Sequence, residues 1–412
     1  MLTNYFKIAI AVLKRRKFFT FISLFGISFS LTILMVLTSV SDHLVSSSYP
    51  DVNRDRNLYS LQLMLSAPAR QGQNTGPYSY HFLQTYVAPM KTPEAVAISS
   101  FFSPSNTYVN NRKLVINIKY TNAGFWQVMQ FNFLEGKVYS QAQIDAGERV
   151  AVITESTRDK YFGKGVPAVG KMLETDNQQY RVIGVVKSVP VTQLFAYGDM
   201  YMPWTLSRQE QENKGYNGTY LAVMMARSKS DIPAMKAEFE NIMTRVPMPY
   251  KDFTELKAFT QSYLPTFTRL LLGRDETDGT AKLYTSMGIF LLFFLLLPTL
   301  NLVNLNLSRI LERASEIGVR KAFGASSGTL VVQFIVENII LTLIGGLIGI
   351  VLSLIVIALI NQAELFSHVF LTLNYTVLGI SLVICILFGC ISGVYPAWRM
   401  SRMQISKALK TV

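Results

Sequence analysis

Two cysteines and three histidines in 412 residues leave little material for redox, metal or imidazole chemistry. Cys385 and Cys390 are five apart in one apolar run, so a helix points them to different faces, and neither a disulfide nor a metal site follows. His43, His81 and His368 are isolated. No Ser/His/Asp set, carboxylate pair or metal spacing stands out, which weighs against a membrane enzyme with its active site in a soluble part. Charge is scarce as well: 16% of residues are charged against 50% hydrophobic, an unusual balance for a soluble domain. The scarcity is concentrated. Four apolar runs, 18–40, 283–307, 331–360 and 375–397, hold no Lys or Arg, and their one acid is Glu337. Each is long enough for the roughly 20 residues that cross a bilayer.

The charge that is present has a pattern. The net charge is +13, and most of the excess flanks the apolar runs. Lys7, Lys14, Arg15, Arg16 and Lys17 precede the first. Arg309, Arg313, Arg320 and Lys321, against Glu312 and Glu316, lie between the second and third. Arg399, Arg402, Lys407 and Lys410 follow the fourth. The positive-inside rule places all three segments in the cytoplasm. Residues 42–282, nearly balanced in charge, then form a large domain on the outer face, since long domains translocate largely regardless of charge. A nucleic-acid role is excluded on the same pattern, because anionic lipid accounts for basic residues beside spans. The N-terminal run is no cleaved signal: it is too long and no small-residue cleavage site follows.

The predicted fold class is therefore a membrane protein with four transmembrane α-helices and a large mixed α/β extracytoplasmic domain between spans 1 and 2. Residues 1–17 read as an amphipathic helix on the inner surface, or as an extension of span 1. Span 1 is 18–41, span 2 is 283–307, span 3 is 328–360 and span 4 is 375–397, with a short outer loop at 361–374 and a cytoplasmic tail at 398–412. In the outer domain, 41–57 reads as a helical stalk and 67–77 as a loop. Strands are predicted at 58–65, 113–120, 149–153, 179–187, 200–203 and 221–226, and helices at 80–90 and 232–245. Gly165 to Lys171 has the spacing of a phosphate-binding loop, but Met172 stands where Ser or Thr must hold magnesium and a strand follows, so it reads as a Gly-Pro turn.

Within the spans, Asn301, Asn304 and Ser308 share one helix face and should meet protein rather than lipid. Gly345-x-x-x-Gly349 and Gly389-x-x-x-Gly393 have the spacing that lets helices approach closely, within the protein or in a dimer. Glu337 is costly in lipid and reads as a cap or hydrogen-bonding group near the inner interface; a proton relay lacks a second acid or His to receive the proton. Residues 308–327 are a basic, helix-prone segment broken by Gly324-Ala325-Ser326-Ser327-Gly328. Wedged between two spans on the cytoplasmic side, that segment must face a soluble partner.

These residues resemble a known family. Glu312-Arg313, Glu316-Ile317-Gly318-Val319-Arg320-Lys321-Ala322-Phe323-Gly324-Ala325-Ser326, Gln333-Phe334, Glu337, Gly345-Gly346, Gly349 and Tyr395-Pro396-Ala397-Trp398-Arg399 are similar to the signature of the MacB/FtsX-like permeases, membrane subunits of ABC transporters. Leu134-Glu135-Gly136-Lys137, Val150-Ala151-Val152-Ile153 and Val182-Ile183-Gly184-Val185-Val186 resemble the MacB periplasmic core. The resemblance implies a dimer, homomeric or with a paralogous permease, in the bacterial inner membrane, with both termini cytoplasmic and a pair of ABC ATPases below. It implies a subdomain inserted near 121–204. It also implies that Arg309, Glu312, Arg313, Glu316, Arg320 and Lys321 dock on the ATPase. In MacB the ATPase precedes span 1 on the same chain; here only residues 1–17 do and no nucleotide-binding motif occurs, so the ATPase that uses ATP and Mg is expected on a separate chain, with no cofactor on this one. The implied activity is export or extraction of an amphiphile (antimicrobial peptide, macrolide or lipid-linked substrate) by relayed motion, with a periplasmic adaptor or outer-membrane duct beyond. The alternatives are an FtsX-like regulator of a cell-wall hydrolase and a lipoprotein-release permease.

Overall fold

The computed structural model describes residues 17–67, 72–109, 112–249, 253–272, 279–290 and 326–363 continuously, with scattered positions elsewhere. The chain divides into two compact units, Met1–His43 with Tyr284–Leu365 and Phe370–Val412, and Leu44–Leu283 with Phe366–Val369.

The first unit contains one long apolar helix up to His43 and the whole of another. Helix α1 (Lys17–Val45) is free of proline and, from Phe18 to Ser41, of charge. A second, Ser327–Gln362 (α6 below), starts where Ser326 caps it, its hydroxyl accepting from the Thr329 amide at 3.2 Å. Within them, Lys17–His43 and Ile335–Gln362 are long and apolar enough to cross a bilayer.

The second unit is mixed α/β. Its strands are β1 (Asn57–Ser60), β2 (Gln62–Ala67), β3 (Gly72–Pro77), β4 (Pro93–Ser100), β5 (Ser103–Val109), β6 (Arg112–Thr121), β7 (Phe133–Gly136), β8 (Val150–Thr154), β9 (Met172–Thr175), β10 (Gln178–Val186), β11 (Met200–Pro203), β12 (Tyr220–Ala226) and β13 (Glu255–Ala258). Its main helices are α2 (Ala123–Val128), α3 (Glu155–Phe162), α4 (Ile232–Met243) and α5 (Tyr263–Leu272), which leaves α6 for Ser327–Gln362. One sheet runs β1-β12-β4-β6-β11-β8-β10-β7, with β5 on β6 and β9 on β10; a smaller one runs β13-β2-β3. β8 and β10 are parallel, and α3 lies in the crossover that such a pair requires. β7 to β10, contiguous in the chain, occupy one end of the large sheet around a core of Ile153, Leu173, Val182 and Val185. At the other end α4 contributes Met235 and Phe239 to a second core that also holds Met224 and Tyr220 of β12.

Several expectations are corrected. The stretch read as a loop contains β3, paired antiparallel to β2 from Gln62↔Pro77 to Ala67↔Gly72. Its Gly, Asn and Gln have poor strand propensity, and a buried partner strand overrides it. The helical stalk is not formed: α1 ends at Val45 and only a single turn, Arg54–Arg56, follows. Pro50 disfavours helix at the residue before it. Strands β4, β5, β7, β9 and β13 were not predicted. The Gly165–Lys171 segment is a turn whose amides are already taken: Asp159 Oδ1 accepts from Gly165 N at 3.2 Å and Glu135 Oε2 from Ala168 N at 2.9 Å. β6 also buries a cation. Lys119 has no exposed surface, donates to Ser100 O at 2.6 Å, and is pulled down by burial to a pKa of about 7.

Candidate functional site

Arg309, Glu312, Arg313, Glu316, Arg320 and Lys321 lie outside the described residues, as do Asn301, Asn304, Gly389 and Gly393. Two neighbours in the docking segment are described. Phe323 N donates to Val319 O at 3.1 Å, one helical turn, and both side chains are exposed. An apolar pair thus stands four residues apart among the charges.

Gly345, Gly349 and Glu337 are placed. A Cβ at Gly345 would lie 2.9 Å from Ile27 Cβ and Cγ2; one at Gly349 would lie 2.8 Å from Leu31 Cδ2 and 3.0 Å from Ser28 O. Only glycine permits this approach of α1 to α6. The contacts advance by four residues on both helices, so α1 and α6 run in the same direction. Hydroxyls line the seam and turn back onto backbone: Thr32 donates to Ser28 O at 2.7 Å and across to Gly349 O at 3.2 Å, and Ser353 donates to Gly349 O at 2.7 Å. Glu337 is buried and accepts from Gln333 Nε2 at 3.1 Å, one turn earlier on α6; both make further interactions. At the other end Asn361 makes two hydrogen bonds of 2.9 Å with the backbone of Leu371, and Ser39 donates to Thr372 O at 2.7 Å.

The outer domain has a cleft of about 520 Å³, on which β4, the start of α2 and the short helix Gln141–Asp145 border. Tyr80 and Trp204 stack at its wall with ring centroids 3.7 Å apart. Glu94, Asp145, Asn122 and Gln127 supply polar groups, and among the described residues no Lys or Arg lines it. Burial, with Asp145 nearby, holds the Tyr80 phenol well above its usual range, so it stays neutral. Tyr80 is almost fully buried, its ring spent on Trp204, so what the cleft offers a ligand is chiefly polar, with the two carboxylates favouring positive charge.

The MacB-like periplasmic core domain family matches residues 20–242, more than half of the chain, and the FtsX-like permease C-terminal family matches residues 288–405. This chain belongs to the MacB/FtsX-like ABC transporter permeases. It is 25% identical, over 70% of its own length and 68% of the relative's, to a protein of Bacillus subtilis (strain 168) called the uncharacterized ABC transporter permease YknZ. It is 27% identical to a macrolide export ATP-binding/permease protein, MacB, of Mannheimia succiniciproducens, over 73% of this chain and 44% of that one. It is 24% identical to a pyoverdine export ATP-binding/permease protein, PvdT, of Pseudomonas savastanoi, over 69% of this chain and 41% of that one. The chain thus spans less than half of the length of these two fused relatives. A permease of this family is a membrane protein with a periplasmic-type core domain, and it works with ABC ATPase subunits.

In this permease, the sequence reading marked one side of the seam and missed the other. Gly345 and Gly349 carry a spacing signal; Ile27, Leu31 and Thr32 on α1 carry none, because any apolar helix offers such residues. The cleft residues were missed altogether. Tyr80 and Trp204 are far apart in the chain and meet only once the sheet is assembled.

Proposed function

We propose that this permease is the non-catalytic membrane subunit of an exporter that works by relayed motion. It has four spans, and ATP is hydrolysed on separate ATPase chains docked at 308–327. The observation that carries the reading is the parallel seam. If α1 and α6 both cross from the same side, the chain must return through the bilayer between the outer domain and Ser327, and the apolar run 283–307 is what remains to do so. The inner ends of both helices then face the basic segments, in accord with the charge pattern. The seam is closed by glycine contacts and self-satisfied hydroxyls, which favours rigid displacement over passage of a substrate between these helices. A dimer in the bacterial inner membrane, with both termini cytoplasmic, completes the assembly. The substrate is an amphiphile, met in the outer cleft, where Glu94 and Asp145 favour a cationic one; the fused relatives are named for exporting macrolide and pyoverdine. It would be handed to an adaptor or duct.

The test is the double variant Glu316→Lys/Arg320→Glu in the full chain, purified with its ATPase. The two positions are neighbours on a helix, so reversing both keeps their mutual pair and the net charge. A partner surface meets every charge inverted, at a cost of several kcal/mol. ATPase co-purification and ATP-driven transport should fall at least about tenfold, with insertion unchanged. Wild-type values of both would remove 308–327 as the docking element.

A further inference from the structure

The last two residues of α1, Leu44 and Val45, belong to the second unit, and a buried ion of that same unit holds Val45. The last turn of α1 holds Asp42 and His43, and no glycine stop supplies a cap for its terminal carbonyls. Arg54, nine residues on and 4% exposed, supplies one: Nη1 donates to Val45 O at 3.2 Å and to Ser46 O at 2.7 Å. A cation at this end also suits the helix dipole. The same guanidinium makes further contacts. Nε donates to Asp51 Oδ2 at 3.1 Å, in a pair with both side chains almost fully buried. Nη2 donates to Gln193 Oε1, in the segment after β10. Its flat face lies 3.6 Å from the centroid of Tyr263, the first residue of α5.

Asp51 is the second half of the joint. It accepts from Asn57 Nδ2 at 2.9 Å and from the Tyr59 hydroxyl at 2.6 Å, both on β1. Gln193 Nε2 donates back to Ser48 Oγ at 2.5 Å. Around the ions, Tyr59, Phe195 and Tyr263 pack ring to ring at 4.6–5.5 Å. Residues 46–53, which connect α1 to the domain, are therefore folded onto this centre rather than slack.

We propose that the Asp51–Arg54 pair is the force-bearing joint of the permease. It couples displacement of α1 to three places at once: β1 and hence the large sheet, the Gln193 segment, and α5, which leads toward the second apolar run. Ordinary core packing needs no such device. A buried ion pair is a poor source of stability, since an apolar pair of similar volume does as well or better. What a guanidinium adds is a rigid fork of directional donors and a stacking face, which lysine lacks. Here those donors are spread over several chain segments, the arrangement required to make them move as one.

The inference rests on the relay reading, and the experiment separates the two. Hydrogen exchange is measured on the full chain in nanodiscs with its co-purified ATPase, with and without ATP plus vanadate. Wild type should show correlated changes in 44–60, 189–196 and 259–272. Arg54→Lys keeps the charge but loses the fork. It should hydrolyse ATP at the wild-type rate while the change in 189–196 and 259–272 shrinks at least about fivefold. Gln193→Leu removes one arm, and the change should be lost in 189–196 alone. Should Arg54→Lys unfold the domain, Gln193→Leu decides. Wild-type responses in all three segments of a folded variant overturn the joint. No response in wild type overturns the relay reading, and the joint with it.

Discussion

The seam and the outer domain are assembled by different physics. Across the seam, α1 and α6 meet through glycines and short hydroxyls directed at backbone carbonyls. Lipid is as apolar as leucine, so burying leucine there gains little, and contact distance decides which helices associate. In the outer domain large side chains dominate: Tyr59, Tyr78, Phe82, Phe125, Tyr201 and Phe239 are all fully buried, and burial from water drives their packing. The domain can also hold ions that lipid would penalise, Arg54 with Asp51 as a pair and Lys119 against a carbonyl. The lesson is that one substitution should have opposite consequences in the two regions: added bulk is ruinous in the seam, while removal of a buried charge can stabilise the domain.

The sharpest break is Gly349→Leu. Its side chain would start 2.8 Å from Leu31 Cδ2 and 3.0 Å from Ser28 O, with a backbone oxygen on one side that has nowhere to go. Overpacking of this kind costs about 3 kcal/mol. Gly379→Leu is the control, because among the described residues nothing lies within 4 Å of a Cβ there. In detergent titrations followed by size exclusion, the first variant should lose most of its folded fraction and the second should match wild type. Equal behaviour would mean that the glycine spacing is incidental.

Lys119→Met tests the other side of the comparison. Burial lowers the folded pKa to about 7, well below that of an unfolded lysine, so the native state binds fewer protons than the unfolded one between those values. Stability therefore rises with pH from about 7 to about 10, and the penalty is complete below pH 7. Methionine removes the penalty but leaves Ser100 O without this donor, so a net gain of about 2 kcal/mol below pH 7 should cross zero and become a net loss of about 2 kcal/mol near pH 10. Denaturant unfolding of the full chain, followed by tryptophan fluorescence at pH 6, 8 and 10, reads this directly. A pH-independent difference would show that the ammonium is accommodated.

The same contrast explains what could be read from the sequence. Membrane spans announce themselves because the bilayer imposes a length and excludes charge, both visible residue by residue. Gly345 and Gly349 were visible through spacing. The outer sheet was only half visible: β6, β8, β10 and β12 show apolar runs or alternation, whereas β3 (GQNTGP) and β5 (SPSNTYV) are polar and owe their conformation to partner strands. Arg54 and Lys119 carry no sequence signal of burial, since a buried ion is specified by partners such as Gln193, 139 residues from Arg54. Ser105 lies in a polar stretch yet is buried against Thr175, so external thiol labelling of the domain should use the exposed positions Ser103→Cys or Ser230→Cys.

The smallest expected effect compares one hydroxyl in each region. Thr32→Val deletes the donor to Gly349 O while nearly preserving shape. Gly349 O keeps Ser353 as a donor and Ser28 O keeps its helical partner, so no buried acceptor is stranded. Such bonds between membrane helices average about 0.6 kcal/mol. Ser60→Ala removes a hydroxyl that meets the Tyr78 hydroxyl at 2.7 Å and donates to Phe259 O at 3.0 Å. Tyr78 is completely buried, so its hydroxyl would be left without this partner, at about 1–2 kcal/mol. Ser60→Ala should thus cost at least twice as much as Thr32→Val when each is measured against wild type in the same denaturant titration. The reverse order would mean that the seam depends on that single hydrogen bond rather than on the close approach its glycines allow.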